Sequence, residues 1–213
     1  MCQTCLDDGP LNRPQRMYSR VAETRPALQH LEQARVILLD MNGTFMFGED
    51  RFGPEENFAF TYAGLGGCLD SKQVEEIIRL CYNSMALDYE NPLKYDDFPQ
   101  VREVLERVTP NLSAKHLQEI ELVVALHELG TVPPPFADAL KRLSHRRRLG
   151  LVSNLWSRKE LWLQELDRAG LLDIFEGLYF LLTSGASSPR LRCLRWLWRR
   201  LRLIVFSVRK YCL

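Results

Sequence analysis

Val36-Ile37-Leu38-Leu39-Asp40-Met41-Asn42-Gly43-Thr44 is the stretch on which the reading of the whole chain turns. Its first four residues form a short, unbroken apolar run, and the run stops abruptly at a carboxylate, an amide and a glycine. A strand buried on both faces looks like this where it empties into a loop at its carboxyl end, the end at which open α/β sheets hold their ligands. Gly43 lets the backbone turn tightly there. Taken alone, Asp40 suits two roles equally: capping the next turn, or chemistry.

Working downstream, the residues from Phe45 to about Val132 read as helices over Phe58–Leu65, Ser71–Met85, Phe98–Val108 and Ser113–Leu129. A connection within a compact domain takes about 2–6 residues, so this stretch is expected to be an inserted helical unit. Pro133-Pro134-Pro135 closes it as a stiff, hinge-like segment whose missing amide hydrogens oppose helix continuation. An alternating rhythm follows: helix Phe136–Leu143, strand Leu149–Ser153, helix Arg158–Ala169, strand Leu178–Leu182, a basic helix near Leu191–Arg200 and a last apolar run, Leu203–Phe206. Strands alternating with helices imply a parallel sheet with helices on both faces. The fold class expected is α/β, a Rossmann-like parallel sheet flanked by helices, with an inserted α-helical cap. The expected divisions are a loose arm over 1–34, a sheet domain over 35–45 and 133–213, and the helical unit over 46–132.

Composition bounds the rest. With 213 residues, of which 46% are hydrophobic, the chain can bury a core of one large domain, or of one domain with an insertion. The opening MCQTCLDDGP has neither a basic nor an apolar leader region, and the six cysteines are scattered, which points to a reducing cytoplasm. Cys2 and Cys5 make a CxxC pair, but structural zinc needs four ligands and no second pair supplies them. His30, His116, His127 and His145 show no ligand spacing. No stretch approaches the run of about 18 apolar residues that a spanning helix needs. The net charge of +1 hides an asymmetry: Glu176 is the last acidic residue, and every later charge, from Arg190 to Lys210, is positive. Leu191, Leu194, Trp198 and Leu201 share a helical stripe beside Arg192, Arg195, Arg199 and Arg202. That pattern fits best a core-facing helix with a solvated face; the alternative is a basic amphipathic helix on an anionic membrane or along phosphates. The partner expected is a small-molecule substrate, with no nucleic acid.

A strand ending in Asp40-Met41-Asn42-Gly43-Thr44 resembles the first motif of the haloacid-dehalogenase-like (HAD-like) hydrolases, usually Asp-x-Asp-Gly-Thr. A second apolar strand, Leu149-Gly-Leu-Val-Ser153-Asn154, resembles that family's second motif, which ends in Ser or Thr. The order agrees too, because members with a helical cap insert it between those motifs. The resemblance covers Arg35 to about Leu182. It implies an aspartate nucleophile at Asp40 that attacks phosphorus or carbon and forms a covalent intermediate. It also implies phosphate held by Gly43, Thr44, Ser153 and Asn154, and Mg2+ held by Asp40 and the backbone carbonyl of Asn42. A cap of this kind closes over the site and selects the substrate; Arg51, Tyr62, Tyr82, Asn83 and Tyr89 are the residues that would face it, unless the tyrosines pack the interior of the cap.

The chain also departs from the family pattern. Asn42 stands where phosphatases carry a second Asp, and an amide has no titratable proton for acid–base work. The expected Lys before Pro is missing from Thr183-Ser-Gly-Ala-Ser-Ser188-Pro189-Arg190, where Arg190 is the substitute available. After Leu203–Phe206 the chain reads Ser207-Val-Arg-Lys210, with none of the usual metal-binding Asp. A truncated or frame-shifted carboxyl end would account for this. Three functions therefore stay open: a magnesium-dependent phosphatase of reduced or absent activity, a metal-independent 2-haloacid dehalogenase, and a non-catalytic relic or binding module.

Overall fold

The computed structural model describes residues 34–94, 98–180 and 203–206. The N-terminal arm, the basic segment around Leu191–Arg200, and Arg190 lie outside the described residues.

The apolar run Val36–Leu39 forms strand β1, and it is flanked on both sides. It pairs in parallel with β2 (Arg148–Ser153), Ile37 opposite Leu149, and with β4 (Leu203–Phe206), Ile37 opposite Ile204. β3 (Phe175–Phe180) pairs in parallel with β2, giving the order β3-β2-β1-β4. Interior strands of a parallel sheet are apolar throughout, and Ile37, Leu38, Leu39, Leu149 and Leu151 are all buried. Gly150 has a packing reason: a Cβ there would lie 2.6 Å from Leu38 Cδ2.

The third strand corrects an expectation, since it begins at Phe175 rather than Leu178. Its extent follows its partner, because β2 offers backbone groups from Leu149 onward and Phe175 pairs with that residue. A second correction concerns the prolines. Pro134 and Pro135 occupy the first turn of a helix, Pro134–Ser144, with Pro133 as its N-cap. The first amide hydrogens of a helix have no intrahelical acceptor, so proline costs nothing there and its fixed φ favours the turn.

Between β1 and β2 run helices α1 (Phe58–Gly64), α2 (Ser71–Glu90), α3 (Val101–Val108) and α4 (Ala114–Glu128). Polar side chains fix their starts. Asn57 accepts from Phe60 N, Asp70 from Lys72 N and Gln73 N, and Ser113 from His116 N. Apolar residues at helical spacing, Val74, Ile77, Ile78, Cys81 and Met85 on α2 and Leu117, Ile120, Val123 and Val124 on α4, join Val101, Val104 and Leu105 in one buried cluster with Phe58 and Tyr62. The helix Pro134–Ser144 is α5, and α6 is Glu160–Arg168, anchored by the buried Trp162 and Leu166.

The chain leaves the sheet and returns to it side by side. Phe47 N donates to Thr131 O at 2.9 Å and Thr131 N to Phe47 O at 2.8 Å. From this crossing β2 and β3 extend to one side of β1, and β4 lies on the other. The carboxyl end of β1 therefore sits where strand order reverses, which is where neighbouring loops diverge and leave a crevice.

Candidate active site

Asp40 follows the last residue of β1 and is half-buried. Its Oδ1 accepts two hydrogen bonds, from the Met41 amide at 2.8 Å and from the Ser153 hydroxyl at 2.9 Å. Ser153 is the last residue of β2 and is buried. The two motif ends are thus joined by a side-chain bond across adjacent strands. Among the described residues Oδ2 of Asp40 has no hydrogen-bond partner. One carboxylate oxygen is thus locked, and the other is unpartnered among the described residues.

The loop after Asp40 is tight. Thr44 N, Phe45 N and Met46 N all point at Met41 O, at 3.1–3.2 Å, and Gly43 N donates to Met46 O at 2.9 Å. Gly43 has φ +67°, a left-handed conformation that side chains with a Cβ resist. Two oxygens in this loop, Asn42 Oδ1 and Thr44 Oγ1, are buried without a hydrogen-bond partner. Buried polar atoms are normally satisfied, and among the described residues these two have no partner. Asn154 follows Ser153 at an exposed position.

Hard oxygens suit a hard cation, and Mg2+ is commonly held by one or two carboxylates, waters and the substrate's own phosphate. The Asp40 carboxylate and the Asn42 oxygens fit that description as a partial set. Among the described residues no three His, Cys, Asp or Glu side chains cluster as a metal site.

The expected cap residues divide. Tyr62 is buried in the helical core, where its hydroxyl donates to Glu119 Oε2 at 2.7 Å and lies 3.1 Å from His116 Nδ1, so it packs the interior. Burial first, then the bond to Glu119, push its phenol up to about 12. The Arg51 guanidinium donates to Leu126 O at 2.5 Å. Tyr82 and Asn83 do line a cavity of about 160 Å3, together with Phe52, Phe58 and Arg79. Tyr89 stands edge-on to Phe98, with ring centres 5.8 Å apart, and 6.0 Å from Trp156.

Sequence reasoning missed the carboxyl end of α4. His127 is buried: its Nε2 lies 2.9 Å from Thr61 Oγ1 and its Nδ1 is 3.2 Å from both Arg51 O and Glu56 Oε2. Burial holds its pKa below the usual histidine value. Glu128, also buried, accepts from Trp156 N at 2.6 Å and Ser157 N at 2.9 Å, in the turn just beyond Asn154. A signal existed in the sequence, since a carboxylate in the last turn of a helix opposes the helix dipole and needs another reason to be there.

No family model matches the chain, and no curated protein does. Among solved structures it is similar to a proposed HAD hydrolase of Bacillus subtilis, crystallised with magnesium (14% identity over 81% of this chain and 77% of that one, TM-score 0.44). It is similar also to the L-2-haloacid dehalogenase of Xanthobacter autotrophicus (18%, 81% and 69%, TM-score 0.47) and to a proposed β-phosphoglucomutase of Thermotoga maritima (17%, 81% and 75%, TM-score 0.42). The chain's own strand pairing gives it a parallel α/β sheet in the order β3-β2-β1-β4.

Proposed function

We propose that the chain is a HAD-like hydrolase of phosphatase type, acting on a small phosphorylated molecule with Asp40 as nucleophile and with the helices of 46–132 serving as its cap. The observation that carries this reading is the bond from Ser153 to Asp40 Oδ1, which leaves Oδ2 without a partner among the described residues at the carboxyl end of the central strand. In the reaction Oδ2 attacks phosphorus, the bond from phosphorus to the leaving oxygen breaks, and an aspartyl phosphate forms. Water then attacks that phosphorus and releases phosphate, regenerating the carboxylate. The Gly43 and Thr44 amides are engaged by Met46 O and Met41 O within the loop, so the Thr44 hydroxyl, Asn154 and a Ser153 hydroxyl turned away from Asp40 would hold phosphate oxygens, and Arg190 would supply positive charge. Mg2+, held by Asp40 and the Asn42 carbonyl, would offset charge between carboxylate and phosphate.

Asn42 shapes the substrate range. It has no proton to give a departing alkoxide, so turnover is confined to leaving groups stable as anions, such as aryl or acyl phosphates. The same residue favours a second reading, a 2-haloacid dehalogenase, because a departing halide needs no proton at all. Phosphate release from an aryl phosphate, with and without magnesium, tests the first reading. We expect turnover that is lost in Asp40→Asn. Halide release without metal would move the assignment to the second reading, and silence toward both substrates would leave a binding module on the same scaffold.

A further inference from the structure

Trp156 and Ser157 form a turn that is held from several directions. Their two amides point at the Glu128 carboxylate, Trp156 O accepts from Val101 N at the start of α3 at 3.2 Å, and the Trp156 ring lies 5.8–6.0 Å from the rings of Tyr82, Phe98 and Tyr89. Arg158 adds a bond of 3.0 Å to Glu121 of α4, whose other oxygen meets Arg102 of α3 at 2.5 Å. The turn that begins three residues beyond Ser153 is therefore the place where the helices dock onto the sheet. Of these contacts, the Glu128 carboxylate is the one that is both buried and titratable near neutrality.

We propose that Glu128 is a positioning residue that pins this turn beneath the helices, and that ionisation of its carboxylate loosens the pin.

The sign follows from what surrounds the group. Burial, the largest influence, pushes the Glu128 carboxyl up from its ordinary 4.5 to about 7; the Trp156 amide, the Ser157 hydroxyl and the Ser157 amide pull the other way, and the Asp50 charge pushes it further up. Among the described residues no cation pairs with it. Arg102 and Arg158 are engaged by Glu121, Arg51 donates to Leu126 O, and the His127 ring faces Thr61, Arg51 O and Glu56. In an opened turn the carboxyl meets water and returns toward its ordinary value. The docked form thus binds the proton more tightly than the open form, so acid favours docking and rising pH through about 7 favours release.

Amide exchange of Trp156 and Ser157 in the full chain, corrected for intrinsic rates, reads the pin directly. Between about pH 5.5 and about pH 8.5 their protection should fall roughly tenfold or more. In Glu128→Gln, a neutral side chain of the same size, it should not change with pH. Protection that is constant or rises with pH in the unmutated protein, or a fall that persists in Glu128→Gln, would overturn the proposal. Aryl phosphate turnover, followed in parallel, rests on the hydrolase reading. A drop in kcat above about pH 7 that is absent in Glu128→Gln supports the link to the site. Absent turnover with the expected exchange pattern sinks the hydrolase reading and leaves the pin standing; normal turnover with pH-independent exchange does the reverse.

Discussion

Asn42 is where the chemistry of a single side chain decides most. Its amide oxygen is buried without a partner among the described residues, in the loop that carries Asp40, and on the hydrolase reading proposed above it stands where an acid and base would act. Asn42→Asp should therefore raise turnover of alkyl phosphates by roughly 10²-fold, the usual contribution of a positioned general acid, and change aryl phosphate turnover far less. A variant equally inert toward both would place the defect elsewhere. Ser153→Ala removes the donor that locks Asp40 Oδ1, and we expect a fall in kcat of about 10²-fold with little change in unfolding temperature. That Asp40 and Ser153 stand at strand ends, and Asn42, Gly43 and Thr44 in a tight turn, was legible in the sequence, because a strand end followed by a tight turn is a local pattern. The partner of Ser153 was not, since the bond depends on which two strands lie side by side. Glu128 was hidden for a similar reason: the amides it serves lie on a loop far along the chain.

At the level of elements, the helices between β1 and β2 stand on their own apolar cluster rather than on the sheet. Ile120 is fully buried in that cluster, and Ile120→Ala should cost about 2–5 kcal/mol in denaturant unfolding, an effect to be compared with a solvent-facing change such as Lys115→Ala. If the loss stays well under 1 kcal/mol, the cluster repacks and the helices are less tightly built than their burial implies. The helical spacing of these residues made α1 to α4 readable from the sequence to within a few residues. Where the reading erred, the cause was physical. β3 starts early because β2 supplies a pairing partner from Leu149 onward, and α5 admits Pro134 and Pro135 because a first turn wastes no hydrogen bond on them.

For the molecule as a whole, acid and base act through different carboxylates. Glu165 accepts from Val132 N and from Arg168, and the Arg168 bond chiefly holds its pKa below the usual carboxylate value. Its contribution is therefore full above its unfolded pKa and is lost as pH falls through the lowered folded value. Glu128 behaves in the opposite sense: its contribution is full below its ordinary 4.5 and is lost as pH rises through about 7. Thermal unfolding across this range should show Glu128→Gln gaining on the unmutated chain as pH rises from about 4.5 to about 7, with a flat difference beyond. A difference independent of pH would mean that the carboxyl keeps its ordinary value in the folded protein. The paired amides of Phe47 and Thr131 carry a consequence of another kind. Because the chain departs and comes back at one spot, everything between those residues is a detour that the sheet does not need in order to close. Splicing Phe47 to Thr131 through a short turn should leave a smaller protein with the same strand order, and the excised stretch, with its own apolar interior, becomes a part that can be grafted onto another sheet presenting two such neighbouring ends.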